Sequence, residues 1–164
     1  MIVSALEEFW SDARAREPAL PTEVPGAWAF GATPDHADDL LALVLAGTKT
    51  GTASALWEIE SEGEAVPEIG ELSIVLDGRG HPRAVIITTT VEIVPFAQVS
   101  AEHAYAEGEG DRTLAQWRET HESFWRLHGT GSWAFSADMP IVCERFRVVF
   151  AGSDSAAANR PDSG

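Results

Sequence analysis

The stretch "ELSIVLDGRGHPRAVIITTTVEIVPF", Glu71–Phe96, decides the fold. Two runs rich in Val, Ile and Thr flank Asp77-Gly78-Arg79-Gly80, the residue chemistry of a β-hairpin turn. The second run is long enough to bend across a barrel. Working outward, "MPIVCERFRVVFA" (139–151) reads as a closing strand and "AWAFG" (27–31) as a short one. Four segments carry helical periodicity. In "SALEEFWSDARAR" (4–16) Ser4 and Glu7 form a capping box, and Leu6, Phe9 and Trp10 share a face. In "TPDHADDLLALVLAG" (33–47) Thr33 caps, Pro34 takes the first helical position, Leu40, Leu41, Val44 and Leu45 form the stripe, and Gly47 ends it. Ser100 caps a short helix in "VSAEHAYAEGEG", and "TLAQWRETHESFWRLHG" aligns Leu114, Trp117, His121, Phe124 and Trp125.

Strands in a mixed, barrel-like sheet decorated by helices make an α+β domain. Three parts are expected: a helix and Pro-rich linker over 1–26, the domain over 27–150, and a polar, disordered tail over 151–164. Removing the tail should be nearly neutral, whereas removing residues 1–20 should cost on the order of a few kcal/mol.

Composition narrows the function classes. Hydrophobic residues make up 45% of 164, which excludes wholesale disorder, and no run of 18 apolar residues suggests a membrane span. The first residues lack the basic start and apolar core of a signal peptide, so a cytoplasmic location is expected. The net charge of −15 argues against coating duplex DNA but leaves room for a nucleotide or a single-stranded RNA in a locally basic cleft. Cys143 is the only cysteine and reads as a buried structural thiol. His36, His81, His103, His121 and His128 show no ligand spacing, so neither a metal nor another cofactor is expected. Nothing in the pattern assigns an oligomeric state.

"GTKTGTAS" (47–54) holds Lys49, the one lysine in a chain that otherwise uses arginine. It is not a phosphate-binding P-loop, because one residue separates its first glycine from the lysine. Gly47 and Gly51 let the backbone approach a ligand. Thr48, Thr50, Thr52 and Ser54 supply hydroxyls, with Thr52 and Ser54 on one side if the segment is a strand. Lys49 reads either as a phosphate-binding charge or base at the floor of a cleft, or as a lysine complementing a helix C-terminus. As a cleft residue it should carry little packing. Lys49→Arg should then leave folding nearly unchanged, and Lys49→Met should even stabilise.

In "EHAYAEGEGDRTLAQW" (102–117), Glu102, Glu107, Glu109 and Asp111 crowd His103 and Arg112. These acids either cap the following helix or pair with a cleft lysine, tuning both groups for proton transfer. Of the six tryptophans, most suit core positions, while Trp57 and Trp133 lie beside polar loops where a base can stack. Arg112 and Arg145 are the further anion ligands, unless they pair with Glu109 and Glu144. Ser136, in the "FSADM" loop, completes the candidate substrate-binding set of Thr48, Ser54, Trp57, Arg112 and Arg145.

The stretches 43–60, 70–125 and 135–150, with their GxKxxTxS and "AEGEGDR" motifs, resemble the ASCH-domain family. The likeness is to its larger bacterial branch, in which an extra N-terminal helix precedes the domain, and it covers about residues 27–150. The resemblance implies a PUA-like fold, found in RNA-binding and RNA-modification proteins. It also implies a cleft lined by Lys49, Thr52 and Glu107 as catalytic residues. Two hydrolytic activities are implied. One is cleavage of single-stranded RNA, as in a relative resembling the longer branch. The other is removal of the acetyl group of 4-acetylcytidine by Lys, Thr and Glu, as in a branch of smaller proteins. In the first, Lys49 stabilises the phosphorane while Glu107, Thr52 or Ser54 moves protons. In the second, Thr52 is the nucleophile, Lys49 its activator and Glu107 the proton donor. A module that binds RNA or a nucleotide without turnover is the third reading.

Overall fold

The computed structural model describes residues 4–152. In chain order the elements are α1 (Ala5–Arg16), β1 (Gly26–Trp28), α2 (Pro34–Leu45), β2 (Gly51–Ala55), α3 (Leu56–Ser61), β3 (Leu72–Leu76), β4 (Pro82–Pro95), α4 (Ala101–Glu107), α5 (Leu114–His128) and β5 (Pro140–Ala151). The strands hydrogen-bond in the order β1-β3-β4-β5-β2, a mixed arrangement: β1 and β3 are parallel, β3–β4 and β2–β5 antiparallel. The chain is thus α+β, with a mixed sheet and helices around it, in the class expected. No described helix is long and apolar enough to cross a membrane.

Two compact units share the chain. One takes residues up to 45 with 72–87 and the segment from 148; the other takes 46–71 and 88–147. The first is organised by the hairpin. Asp77 holds its turn, with Oδ1 accepting from the backbone N–H groups of Arg79 and His81, both at 2.9 Å. Ile74 and Val85, paired across the hairpin, are fully buried beside Phe9, Trp10 and Ala13 of α1. The capping box at Ser4 and Glu7 forms as the sequence implied. Trp10 is 2% exposed and its indole N–H donates to the Pro21 carbonyl at 3.0 Å, which ties the Pro-rich segment back onto α1. Trp10→Ala should therefore cost about 3–5 kcal/mol, read from chemical denaturation, through lost burial and the cavity left behind.

The second unit packs α4, α5, β2 and part of β5 around Trp117, Trp125, Phe96 and Ile141. Ser100 and Thr113 cap α4 and α5, accepting from the backbone N–H groups of His103 and Gln116. Several expectations are corrected. Leu45 and Phe124 are exposed, because the buried face of α2 is Ala37, Leu40, Leu41 and Val44, and that of α5 is Trp117 and Trp125. The first strand covers 26–28 rather than 27–31. The segment after Ala55, to which the sequence reading assigns no helix, turns into α3, with Glu58 Oε1 accepting from Ala55 N–H at 2.9 Å and from Trp125 Nε1 at 2.7 Å. β5 runs to Ala151, and Gly152 N–H donates to the Arg83 carbonyl at 2.9 Å, so ordered chain reaches past the expected start of the tail. The remainder of that tail, 153–164, lies outside the described residues.

Candidate functional site

The lone lysine is pinned by its neighbours. α2 gives way at Gly47, and residues 48–51 run between the end of α4 and β5: Thr50 N–H donates to the Ala106 carbonyl at 2.7 Å, and Phe146 N–H to the Thr50 carbonyl at 3.0 Å. The approach is close enough to demand glycine twice. A Cβ on Gly108, which has φ +73°, would sit 2.5 Å from the Thr48 carbonyl oxygen. A Cβ on Gly51 would meet the Glu144 carbonyl at 3.2 Å and the Arg145 Cδ at 3.3 Å. The contact at Gly108 makes the first glycine of "EGEG" a packing requirement, independent of any ligand, and Gly51 is a tight fit.

Lys49 is 2% exposed. Its Nζ donates to the Gly51 carbonyl at 2.8 Å, the Glu107 carbonyl at 3.3 Å and Glu109 Oε2 at 3.0 Å. It therefore does complement a helix C-terminus, but that of α4, 58 residues on in sequence, rather than the end of α2. The Glu107 carboxylate lies 4.0 Å away and is equally buried. Glu107 Oε2 accepts from His103 Nε2 at 2.8 Å and from Trp117 Nε1 at 2.5 Å, and Oε1 is 3.6 Å from His121 Nε2. Burial alone would raise the Glu107 pKa. The hydrogen bond from His103 outweighs it, together with the charge of Lys49, and the net shift is downward. Glu107 therefore rests ionised. A cavity of about 210 Å3 opens beside it, lined by Glu107, Glu109, Gln116, Trp117, Thr120 and His121 among others.

The sequence candidates fall into two groups. Lys49 and Glu107 come together. Arg112 joins them indirectly: in a left-handed conformation (φ +65°), its guanidinium donates to the Tyr105 carbonyl at 3.0 Å and the Thr48 carbonyl at 3.1 Å, and lies over the Tyr105 ring. Its donors thus clamp backbone, and it makes no ion pair with Glu109. Arg145 Nε donates to His103 Nδ1 at 3.3 Å, placing it one residue behind Glu107. Thr48 contributes its carbonyl.

Thr52, Ser54, Trp57 and Ser136 are not partners of Glu107. β2 alternates, and Ala53 and Ala55 face the core of α4 and α5, so Thr52 and Ser54 face the other side of the strand. There Thr52 lies opposite Glu144, whose Oε2 accepts from Thr88 Oγ1 at 2.7 Å. Trp57 stacks with the half-exposed Trp133, ring centroids 6.2 Å apart, and its buried indole N–H has no hydrogen-bond partner among the described residues. Ser136 is exposed in the loop before β5, its Oγ accepting from Asp138 N–H.

The residues missed were His103, His121 and Trp117 as partners of the carboxylate. Spacing carried the signal. His103 and Glu107 are four apart on α4, as are Trp117 and His121 on α5, so each pair shares a helical face. Cys143 is a buried free thiol, as expected. Burial and the charges of Glu107 and Glu92 push its pKa up to about 12, so it stays protonated. Among the described residues no group of three or more His, Cys, Asp or Glu side chains is placed to hold a metal ion.

Glu144 gives a separate test. Burial raises its pKa above the ordinary 4.5, against the Thr88 hydrogen bond, and Glu71 raises it further. A folded-state pKa above the unfolded one means that ionisation opposes folding: the group costs nothing below pH 4.5 and costs progressively more as pH rises toward the folded value. Glu144→Gln, which keeps an acceptor for Thr88, should raise the melting temperature at pH 7. That gain should vanish by about pH 4, below the reference carboxylate pKa of ~4.3.

Comparison with known proteins places this geometry. The model of the ASCH domain matches residues 26–150. A crystal structure of an ASCH domain from Lactobacillus crispatus JV V101 superposes with a TM-score of 0.78 at 30% identity, covering 90% of this chain and 96% of that one. A crystal structure of a protein from Enterococcus faecalis V583 gives 0.82 at 33% identity, covering 98% of both chains. No match is found among curated proteins. By sequence match and by fold together, the chain belongs to the ASCH-domain family.

Proposed function

We propose that the protein is a hydrolase of single-stranded RNA acting at Lys49 and Glu107. One observation carries the reading: a lysine and a glutamate, each 2% exposed, are held 4.0 Å apart with two histidines on the carboxylate, beside a cavity. A buried carboxylate with a shifted pKa at the wall of a cavity is a reaction-site candidate. RNA is the substrate class that suits an ASCH domain and a chain whose net charge of −15 repels polyanions outside a local cationic patch. Lys49 supplies the buried cation that helps keep Glu107 ionised. Trp57 and Trp133 offer a stacking surface for a base. Glu107, ionised, orients and receives protons rather than donating them.

Deacetylation of 4-acetylcytidine is the second reading, favoured by the Lys49–Glu107 pair itself, since an amide leaving group needs a proton delivered beside a cation. It assigns Glu107 as proton donor and Thr52 as nucleophile. An ionised Glu107 and a Thr52 facing Glu144 fit those roles less well than they fit the first reading. A substrate panel separates the readings. Cleavage of labelled single-stranded RNA, with duplex DNA untouched, supports the proposal. Acetyl release from 4-acetylcytidine alone supports the second reading. RNA binding without turnover leaves a binding module, and none of these outcomes would contradict all three.

A further inference from the structure

His103 is 4% exposed, and its two ring nitrogens face different chemistry. Nε2 meets Glu107 Oε2 at 2.8 Å, and Nδ1 meets the Arg145 guanidinium at 3.3 Å. A guanidinium only donates. Nδ1 must therefore carry the lone pair, and Nε2 the proton given to Glu107. The imidazole is thus a neutral base with its tautomer fixed by a buried carboxylate, the arrangement that orients the histidine of hydrolytic triads. His103 and Arg145 both line a second cavity, of about 260 Å3, with Ser100, Cys143 and the acidic Glu92 and Glu102 among its other walls.

We propose that His103 is the general base of the hydrolytic site and that the Arg145 cavity receives the sugar-phosphate whose 2′-hydroxyl it deprotonates. The inference rests on the single-stranded RNA reading. A phosphate draws the Arg145 guanidinium more strongly than a neutral imidazole does, because both partners are then charged. Arg145 moves onto the phosphate and uncovers Nδ1. The 2′-hydroxyl gives its proton to Nδ1 while the 2′-oxygen bonds to phosphorus and the bond from phosphorus to the 5′-oxygen breaks. The 5′-oxygen leaves with a proton from water, and the imidazolium returns its proton to the hydroxide so formed. The products are a 2′,3′-cyclic phosphate and a 5′-hydroxyl. Ionised Glu107, itself held by Lys49, Trp117 and His121, stabilises the transient imidazolium. The other charged or titratable groups around His103 are Glu102 on α4, Glu92 on β4, and Arg145 and Cys143 on β5.

A histidine that merely fills the core would keep these hydrogen bonds and nothing else, and His103→Gln tests the difference. A glutamine amide can donate to Glu107 and accept from Arg145, but it cannot take a proton. With wild-type RNA cleavage as reference, His103→Gln should keep the melting temperature and KM. It should lose roughly a hundredfold or more in kcat, the size of a general-base contribution, and lose the acidic limb of the pH profile. A His103→Gln enzyme within threefold of wild type, with the limb intact, overturns the inference and leaves the RNA reading standing. No RNA cleavage by the wild type overturns both. Should the variant fail to fold, 15N NMR of the wild-type ring decides: a resting His103 protonated on Nδ1 at neutral pH contradicts the proposal, and a lone pair there supports it.

Discussion

Lys49→Met should abolish turnover and also lower stability by about 3 kcal/mol, because breaking a buried ion pair strands its partner. The loss has definite sources. The Gly51 and Glu107 carbonyls lose their donor, and the Glu107 carboxylate, 3% exposed at its side chain, loses its cation. This reverses the expectation for a cleft lysine that carries little packing: the residue is part of the interior, where an ammonium with its partners is worth more than the burial of a methionine. Lys49→Arg keeps the charge, but a planar guanidinium cannot reproduce three donors on one nitrogen, and its bulk enters a site already packed against Gly51 and Gly108. Its turnover should fall roughly a hundredfold or more, with a lower melting temperature. Cleavage rates and denaturant midpoints for both variants check this; full activity in Lys49→Arg would sink the catalytic role.

Glu107→Gln should fall by a similar factor, roughly a hundredfold or more, for a different reason. The neutral amide can no longer hold Lys49 and the two histidines with one charge, and its NH2 group opposes either the shared donors of Trp117 and His103 or, in the other orientation, the Lys49 ammonium. Stability at pH 7 should drop by only about 1–2 kcal/mol, because Lys49 keeps Glu109 at 3.0 Å while a buried hydrogen-bonded centre is disrupted. The pH dependence has a definite sign. The folded-state pKa lies below the ordinary 4.5, so Glu107 contributes fully above that value and loses its contribution as pH falls through the lower folded one. The wild type should therefore lose stability on acidification below about pH 4, where reference carboxylates at ~4.3 begin to protonate, more steeply than Glu107→Gln does. Parallel slopes for the two proteins would show that Glu107 is not the ionised centre.

How much of this was legible in the sequence depended on the range of the interactions. The hairpin turn at Asp77 and the caps at Ser4, Thr33 and Ser100 rest on neighbours within five residues, and all are found. α3 was missed because its N-cap is an alanine, and the Glu58 carboxylate that accepts from the Ala55 N–H is itself held by Trp125, 67 residues away. Leu45 and Phe124 fit their helical stripes but sit at the edge of the buried arc, which only packing defines. Within the site, Lys49 stood out as the lone lysine, and Glu107 came through the family resemblance. Their meeting depends on Thr50 bonding to Ala106 and on glycines cleared for contact, which no local pattern encodes. The sequence reading set His103 beside the acidic cluster and His121 on its helical stripe, but the four-residue spacing of His103 to Glu107 was passed over. The face of Thr52 was fixed only once β2 paired with β5, opposite Glu144.

The most direct test is the cleavage of 5′-labelled single-stranded RNA by the wild type and Lys49→Met side by side, with the 3′ ends of the products identified. The account predicts cleavage by the wild type with 2′,3′-cyclic phosphate ends, and none by the variant. RNA left intact by the wild type, or cut equally by both proteins, would contradict it.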